Sequence, residues 1–189
     1  RSMQEAVPAN EGSMLAVLGS QLKVIEDLIK NNAHDCFIAN NNSPQQVVVS
    51  GLKKNIDLFS EDLNKSKIKN IKLNVSAPFH CKLMKKATEN LKHDIENLNF
   101  KEIKNPIISN FTANPSISGL DIKNLLVSQI EGRVKWVESV QFMVNKGTKN
   151  FIEIGPGKVL SGLIKRIDKK INTSSVNYES DINELINNV

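Results

Sequence analysis

Acid–base chemistry near neutral pH points first to the histidines of this chain, which are His34, His80 and His93. His80 stands out because it follows the segment Ser76-Ala77-Pro78-Phe79, directly after a predicted strand, and opens a predicted helix. Functional side chains are commonly placed at such junctions. His93 lies within a long predicted helix and His34 in a polar loop, where a surface or boundary role is the ordinary expectation. His80 is therefore the candidate general base.

A general base needs a group to activate, and the sequence offers no serine suited to that role. The pattern Gly-x-Ser-x-Gly, whose glycines permit the strained turn of a nucleophile elbow, occurs nowhere in the 189 residues. Cys81 is adjacent to His80, but neighbouring side chains at the start of a helix diverge and rarely meet at hydrogen-bond distance. A half-buried structural cysteine is the expected role of Cys81. His80 is thus a candidate base without a candidate nucleophile.

Two other patterns suggest chemistry but match it incompletely. Gly155-Pro156-Gly157-Lys158 precedes a predicted helix, as a phosphate site would, yet the full Gly-x-x-x-x-Gly-Lys-Ser/Thr pattern is missing. A plain strand-turn-helix connection is the favoured interpretation. Cys36 and Cys81 have neither metal-ligand partners nor the spacing of a disulfide framework, so we expect reduced thiols and no metal site.

Composition restricts the class of protein without identifying it. The hydrophobic content of 40% suits one sizeable globular domain or two small ones. No apolar run reaches the roughly 20 residues of a membrane-spanning helix, and the first residues lack the apolar segment of a signal peptide. A cytoplasmic location is therefore expected. The net charge of +5 would suit an anionic partner, although a solvated lysine-rich surface is the simpler explanation.

The elements before His80 form a predicted strand-helix-strand-strand-helix-strand series over residues 13–76. The predicted strands are Met14–Leu18, Cys36–Ala39, Val47–Val49 and Ile71–Val75, the last with Ile71, Leu73 and Val75 on one face. Ser20 is expected to cap the first helix, Gly51 to open the second, and Asn40–Gln46 to reverse the chain. The apolar residues spaced for burial are Leu22, Ile25, Leu28 and Ile29 in the first helix and Leu52, Ile56, Phe59 and Leu63 in the second. This is the order of a ferredoxin-like sandwich.

After His80, the predicted elements are helices that alternate with short strands. A long helix to about Leu98 carries an apolar stripe formed by Leu83, Ala87, Leu91, Ile95 and Leu98. The remaining predictions are a strand at Ile107–Ile108, a helix capped by Asp121, a helix over 134–145, a strand over 151–154 and a helix over 159–167. Such alternation normally covers a parallel sheet, and two short strands are too few for one. We therefore expect part of the sheet to come from elsewhere.

Five segments together resemble the malonyl-CoA:acyl carrier protein transacylases and the related acyltransferase domains of polyketide synthases. They are Met3–Val7 (MQEAV), Asn40–Gly51 (NNNSPQQVVVSG), Val75–Met84 (VSAPFHCKLM), Val127–Trp136 (VSQIEGRVKW) and Glu153–Ile167 (EIGPGKVLSGLIKRI). They occur in the order and at the spacings of the family over nearly the whole chain. The resemblance implies a ferredoxin-like subdomain at 13–76, inserted in an α/β-hydrolase-like core. Residues 1–12 would be the end of a core helix and a linker, and 77–189 the C-terminal part of the core.

The resemblance also implies roles for individual residues. His80 matches the catalytic histidine of the family, and Gln129 matches the residue whose main-chain carbonyl receives the other imidazole proton. Phe79 resembles the phenylalanine of malonyl-selective domains, whose ring crowds the space of an α-methyl branch. Polar positions near the pantetheine entrance match Asn40, Asn42 and Gln46, although turn formation accounts equally well for the asparagines.

The implied reaction transfers a malonyl group from coenzyme A to the phosphopantetheine thiol of acyl carrier protein through a serine acyl-enzyme, for fatty acid biosynthesis. It requires no metal or redox cofactor, and both partners are anionic. In the family, the serine elbow, an oxyanion-hole glutamine and a carboxylate-binding arginine all precede the position of Met3. We expect these 189 residues alone to be inactive.

Two alternatives remain open at this stage. A ferredoxin-like unit could bind RNA, but such platforms need exposed aromatic side chains on central strands, and only Phe37 qualifies. The chain could also be a truncated, non-catalytic protein that binds acyl carrier protein or coenzyme A. The residues encoded upstream of Arg1 would distinguish this alternative from the enzyme.

Overall fold

A computed structural model describes residues 1–32 and 34–187 of the chain. The fold is mixed α/β, and the residues divide into two compact units, Arg1–Ser139 and Val140–Val189. Residues 2–4 form a turn, with the amides of Gln4 and Glu5 donating to the carbonyl of Arg1. Among the described residues, no helix combines the length and the apolarity needed to cross a membrane.

The first unit begins with a four-stranded antiparallel sheet. Its elements are β1 (Gly12–Leu18), α1 (Leu22–Asn31), β2 (Cys36–Ser43), β3 (Gln46–Leu52), α2 (Lys53–Lys65) and β4 (Asn70–Lys72). The strands lie in the order β2-β3-β1-β4, and every pairing is antiparallel. The predicted order of strands and helices is confirmed over this region.

One face of the sheet holds the main apolar core together with α1 and α2. The fully buried residues of this core include Leu15, Val17, Ile25, Val47, Val49, Ile56, Phe59 and Leu63, each 0% exposed. Burying a side chain of this size contributes about 1.5–3 kcal/mol relative to leaving it exposed. The predicted helix spacing is therefore confirmed for Ile25, Ile56, Phe59 and Leu63.

Several local predictions in this region were wrong. The helix N-cap is Gln21 and not Ser20, because β1 and the turn after it carry the chain one residue further before the helix begins. The predicted hairpin reversal between the second and third strands is confirmed but is shorter than predicted. Asn40–Asn42 belong to β2, since pairing with β3 extends both strands and leaves only a tight turn between Ser43 and Gln46. Helix α2 begins at Lys53 and not at Gly51, so Leu52 is its half-exposed N-cap.

The predicted fourth strand was too long at its C-terminal end. β4 covers only Asn70–Lys72, and Ile71 and Val75 are 50% and 38% exposed. β4 is an edge strand that pairs with β1 through three residues, so only one side of it receives main-chain hydrogen bonds from the sheet. Leu73 is the partly buried member of the expected apolar set and packs against the second sheet face.

The rest of the first unit leads from His80 to Gln129. Its elements are a single 3-10 turn (Lys82–Met84), α3 (Lys85–Asn97), β5 (Ile107–Ile108), β6 (Pro115–Ser116) and α4 (Gly119–Glu131), and α5 (Trp136–Asn145) begins in this unit. The expected parallel pairing of β5 was wrong, because it pairs antiparallel with β6. Ser118 and not Asp121 is the N-cap of α4, and its hydroxyl accepts from the Asp121 amide. Leu98 lies beyond α3 and is 56% exposed.

The second unit contains a short parallel sheet. Its elements after α5 are β7 (Asn150–Ile154), α6 (Val159–Ile167), β8 (Asn172–Val176) and α7 (Glu179–Asn187). β7 and β8 pair in parallel from Asn150 to Ile154, which confirms the predicted parallel arrangement, although β8 itself was not predicted. The predicted bounds of α6 are confirmed.

Candidate active site

The segment that carries His80 lies on the sheet face opposite α1 and α2. Phe79 packs there against a small apolar cluster formed by Met14, Ala16, Ala39 and Val48. Pro78 lies so close to β1 that a Cβ atom at Gly12 would overlap its ring. The absence of a side chain at Gly12 therefore leaves room for the segment to cross the sheet, and the close packing on this face fixes the position of the backbone that leads to His80.

His80 adopts a backbone conformation that only few residues other than glycine adopt. Its φ angle is +58°, in the left-handed region, and its side chain is half-buried. A non-glycine residue in this region is strained and is found at functional sites more often than elsewhere. The Sγ atom of Cys81 donates to the Pro78 carbonyl at 3.0 Å, which ties the residues on both sides of His80 together.

The imidazole of His80 is oriented by the main chain of Gln129. Nδ1 lies 3.0 Å from the Gln129 carbonyl oxygen, and because a carbonyl only accepts, Nδ1 carries the proton. This oxygen is available because α4 ends at Glu131 and the backbone is extended at Gly132 (ψ 145°). The amide of residue 133, which would donate to the Gln129 carbonyl in a continued helix, therefore does not do so. In the neutral ring, Nε2 is then left with a free lone pair, as a general base requires.

The protonation state of His80 suits the same role. Burial lowers the pKa of the imidazole below its ordinary value of 6.5, and the hydrogen bond to Gln129 opposes this only in part. The ring is therefore neutral at neutral pH and able to accept a proton. Nδ1 of His80 and the Gln129 carbonyl thus lie at hydrogen-bond distance, and the catalytic role of the two residues stays a prediction.

The end of α4 is shaped by a contact that the sequence did not reveal. A Cβ atom at Gly132 would overlap the ring of Phe111, so only glycine fits there without displacement. The side-chain amide of Gln129 donates to the Gly132 carbonyl at 2.7 Å and closes the turn. The Gly-Arg pair after the helix is the only sequence feature that points to this turn, and such a pair can follow the end of any helix.

A groove of about 430 Å³ lies beside His80 within the first unit. Aliphatic, aromatic and charged side chains line it: Glu26, Ile29, Cys36, Phe37, Ile38, Cys81, Lys82, Glu131 and Arg133. The Lys82 ammonium lies 4.7 Å from the centre of the Phe37 ring and 3.0 Å from an Asp35 carboxylate oxygen. The exposed face of Phe37 that base stacking would need is therefore covered by a cation.

The predicted substrate-contacting residues do not share this groove. Phe79 lines a separate cavity of about 410 Å³ together with Gln4, Asn10, Asn74, Val75 and Ser76. Asn40 and Asn42 lie half-buried on β2, and Gln46 opens β3. The register of β2 against β3 shifts between Ile38 and Asn40 and again between Asn41 and Ser43. Asn40 also forms a parallel bridge with Val134, close along the chain to Gln129. The structure thus brings His80 and Gln129 together, while a contact of the other residues with substrate stays a prediction.

The cysteines are poorly suited to nucleophilic chemistry. Burial raises the pKa of the Cys81 thiol above its ordinary value and raises that of Cys36 to about 12. The thiolate is the reactive form of cysteine, so both residues are held in the less reactive state. Both are free and buried, in agreement with the predicted structural role of reduced thiols.

Several amides in the Gly-Pro-Gly-Lys turn and at the start of α6 already have hydrogen-bond partners. The Glu153 carboxylate accepts from the amides of Leu160 at 2.9 Å and Ser161 at 2.7 Å, which places an anion at the start of the helix. The Gly157 amide donates to the side chain of Asn177. These contacts favour the predicted structural connection over a phosphate site. In the described part of the chain, no group of three or more histidine, cysteine or acidic side chains is placed to hold a metal ion.

The other histidines have structural contacts. His34 Nε2 lies 2.8 Å from an Asp62 carboxylate oxygen, and its ring meets that of Phe59 edge-on with 5.6 Å between centres. His93 lies on the exposed side of α3, where Nε2 is 3.1 Å from the Asn97 amide nitrogen. These contacts agree with the surface or boundary roles predicted for both residues.

The mixed α/β fold and the match to one protein family place this chain in the class of acyl transferase domains. A family model described as an acyl transferase domain matches residues 1–180. The chain belongs to this family and is a partial homologue of malonyl-CoA:acyl carrier protein transacylases, which confirms the resemblance.

Individual relatives agree with this placement. The malonyl CoA-acyl carrier protein transacylase of Bacillus subtilis (strain 168) is 41% identical over 178 residues, which are 92% of this chain and 56% of the relative. That of Staphylococcus aureus (strain MSSA476) is 36% identical over 184 residues, 95% of this chain and 60% of the relative. The chain thus spans less than two thirds of the length of these relatives.

Solved structures share the fold over the same extent. The acyl-carrier-protein-S-malonyltransferase of Bartonella henselae superposes with a TM-score of 0.93 at 35% identity, covering 98% of this chain and 60% of that one. A malonyl-transacylase solved in complex with a type II PKS acyl-carrier protein gives a TM-score of 0.93 at 32% identity, covering 100% of this chain and 62% of that one.

Proposed function

We propose that this chain is part of a longer protein, the parent. The parent transfers a malonyl group from coenzyme A to the phosphopantetheine thiol of acyl carrier protein, for fatty acid biosynthesis in the cytoplasm. The observation that carries the proposal is the 3.0 Å contact between His80 Nδ1 and the Gln129 carbonyl oxygen. It leaves Nε2 as the proton acceptor for a nucleophile supplied by a part of the parent upstream of these residues. The relatives are transacylases of this kind.

The proposed reaction proceeds in two balanced halves. In the first, Nε2 of His80 takes the proton of the serine hydroxyl while the serine oxygen attacks the thioester carbonyl carbon. The C–S bond then breaks, and the coenzyme A sulfur leaves with the proton from Nε2. In the second, Nε2 takes the thiol proton of phosphopantetheine, whose sulfur attacks the acyl-serine carbonyl. The C–O bond breaks, and the serine oxygen recovers its proton.

The charge of the imidazole changes in each half, and the site is arranged for that change. When Nε2 is protonated, the ring becomes a cation whose Nδ1–H still donates to the Gln129 carbonyl. A carbonyl dipole stabilises this cation, as the aspartate of a protease triad does, without adding a second titrating group. The main-chain oxygen is present whatever side chain occupies position 129.

The other predicted roles belong to this proposal. Phe79 would exclude an α-methyl branch, and its position between two apolar clusters supports a rigid wall at that point. Asn40, Asn42 and Gln46 would contact the pantetheine arm. No metal or redox cofactor takes part. The ferredoxin-like subdomain at 13–76 would be inserted in an α/β-hydrolase-like core, with 77–189 as the C-terminal part of that core.

The second unit supports the inference that this chain holds only part of the α/β core. β7 and β8 form a two-stranded parallel sheet, whereas parallel sheets are normally larger and covered on both faces. Ile152, Ile154 and Val159 are 51%, 83% and 70% exposed. We infer that upstream residues of the parent cover these side chains and supply the serine elbow, the oxyanion-hole glutamine and the carboxylate-binding arginine.

The alternative is a non-catalytic chain that binds acyl carrier protein or coenzyme A, which the missing serine elbow favours for these 189 residues in isolation. Both are tested by incubating this chain and the full-length parent with malonyl-CoA and measuring intact mass. We expect a malonyl adduct on a serine of the parent and none on this chain. A parent that forms no adduct and transfers no malonyl group, but binds carrier protein, would establish the alternative.

A further inference from the structure

Arg133 occupies a special position relative to the carbonyl that orients His80. In a continued α4 helix, the amide of residue 133 would donate to the carbonyl of Gln129. Gly132 instead adopts an extended conformation, so that carbonyl is released to His80. The direction in which the chain leaves the helix at Arg133 therefore determines whether the Gln129 oxygen is free.

The side chain of Arg133 is bound at this exit by two carboxylates. Nη1 lies 3.0 Å from Glu26 Oε1 on α1, and Nη2 lies 3.6 Å from Glu138 Oε1 on α5. The side chains of Arg133, Glu26 and Glu138 are 27%, 40% and 33% exposed, so water screens these contacts only in part. One guanidinium thus joins a helix 107 residues away in sequence to the residues that follow α4.

Main-chain hydrogen bonds hold the next residue to the same region. The Val134 amide donates to the Ala39 carbonyl at 2.8 Å, and the Asn41 amide donates to the Val134 carbonyl at 2.9 Å. The extended exit from α4 is therefore fixed to β2 through the main chain of Val134 and to α1 through the side chain of Arg133. A planar guanidinium can address two carboxylates at once, which a lysine ammonium does less well.

We propose that Arg133 is a positioning residue for His80, acting through Gln129. By holding the chain after Gly132 against α1 and α5, it keeps the Gln129 carbonyl at the Nδ1 position and so selects the Nδ1–H tautomer. The importance of that tautomer for catalysis rests on the proposed function, but the tautomer itself is a property of this chain. It can be measured without any transfer activity.

The test is the tautomer ratio of His80 in the ¹⁵N-labelled chain, read from long-range ¹H–¹⁵N correlations above the pKa of the ring. We expect the Nδ1–H form to dominate in the wild type. Arg133→Ala should shift the ratio toward the Nε2–H form by about two- to tenfold, the range that a single net hydrogen bond provides. Arg133→Lys should fall between the two.

Two further variants keep the test decisive. Glu26→Gln removes the closer carboxylate charge while keeping side-chain size, and it should shift the ratio in the same direction even where Arg133→Ala fails to fold. Lys23→Ala, which breaks an exposed pair with Asp27 on the same helix, should leave the ratio unchanged. An unchanged ratio in folded Arg133→Ala or in Glu26→Gln would overturn the proposal. A shifted ratio with a parent protein that transfers no malonyl group would refute the proposed function alone.

Discussion

Nδ1 of His80 lies 3.0 Å from the main-chain oxygen of Gln129, although the two residues are 49 positions apart in the sequence. The oxygen is available because α4 stops at Glu131, and the imidazole reaches it because His80 adopts a left-handed backbone conformation. The site therefore depends on how two segments end, one strand-to-helix connection and one helix C-terminus, and not on a pair of opposed side chains.

The first prediction concerns the titration of His80. Burial lowers its pKa below the ordinary value of 6.5 in the folded chain. At a pH between the folded pKa and 6.5, the unfolded chain therefore binds more protons than the folded chain. The stability that this residue contributes is complete above about pH 6.5 and decreases as the pH falls toward the folded pKa. NMR titration of the imidazole Cε1–H should place the midpoint below 6.5, and a midpoint above 6.5 would contradict the burial described here.

The second prediction concerns the close approach of Gly132 and Phe111. Gly132→Ala places a methyl group against the Phe111 ring, and overpacking of this kind destabilises a protein by about 1–3 kcal/mol. Urea denaturation of the variant and the wild type measures this difference. Gly162→Ala is the matched control, because a Cβ atom there meets no heavy atom within 4 Å and lies inside α6.

For the control we expect a gain of about 0.5–1 kcal/mol from the reduced flexibility of the unfolded chain. Gly132→Ala combined with Phe111→Leu should recover part of the loss, since the smaller side chain leaves room for the methyl group. Equal midpoints for the two single alanine variants would show that the contact is not tight.

The third prediction concerns the carboxylate of Glu153 at the start of α6. Burial alone would raise its pKa, but hydrogen bonds from Ser161 and from the amides of Ser161, Leu160 and Val159 lower it below the ordinary value of 4.5. The stabilisation is therefore complete above about pH 4.5 and is lost as the pH falls through the folded pKa. Glu153→Gln should reduce stability at pH 7 and flatten the decline between pH 5 and 3 in thermal unfolding.

Glu179→Gln provides the comparison for Glu153, since it alters a carboxylate in the first turn of α7 and leaves the α6 contacts in place. Each of the two substitutions removes one negative charge, so they change the net charge of the chain equally. If both gave the same pH profile as the wild type, the Glu153 carboxylate would not be the group that satisfies the α6 amides.

The fourth prediction concerns substrate selection at Phe79 in the full-length parent. Phe79→Ala should raise the ratio of kcat/KM for methylmalonyl-CoA to that for malonyl-CoA by about tenfold, the lower end of what one methyl group contributes in an apolar pocket. Phe79→Leu should have a smaller effect. Because Phe79 packs against two apolar clusters, circular dichroism must show that each variant is folded. An unchanged ratio in a folded Phe79→Ala variant would remove Phe79 from the selection of substrate.

Much of the fold was predictable because the spacing of apolar residues along a helix indicates which face is buried. Ile56, Phe59 and Leu63 recur at helical spacing and are all 0% exposed. The bounds of α6 were also predicted, since the glycines and proline before it mark its start. In these regions the local sequence and the tertiary structure favour the same conformation.

Predictions failed where long-range contacts outweighed local preference. Asn40–Asn42 have the composition of a turn, yet pairing with β3 draws them into β2. Ser118 and Asp121 are both good helix caps by type, and only the position of the preceding chain selects Ser118. β8 has few strongly apolar residues, and its pairing with β7 is what makes it a strand.

The site was predictable in part. His80 was singled out by its junction, and Gln129 by resemblance to a family, but no local pattern encodes the left-handed φ of His80. The link from Arg133 to Glu26 spans 107 residues, and the contact of Gly132 with Phe111 is a matter of close packing. Contacts of this kind depend on the assembled structure and have no signature in a single sequence.

The most direct test is the rate of malonyl-serine formation in the full-length parent, measured by rapid quench with malonyl-CoA, for His80→Ala against His93→Ala. His80→Ala should slow this step by about 10²–10⁴-fold, the usual contribution of a general base. His93→Ala, which alters an exposed residue of α3, should match the wild type. A His80→Ala variant that forms the acyl-enzyme at the wild-type rate would contradict the central claim that His80 activates the nucleophile.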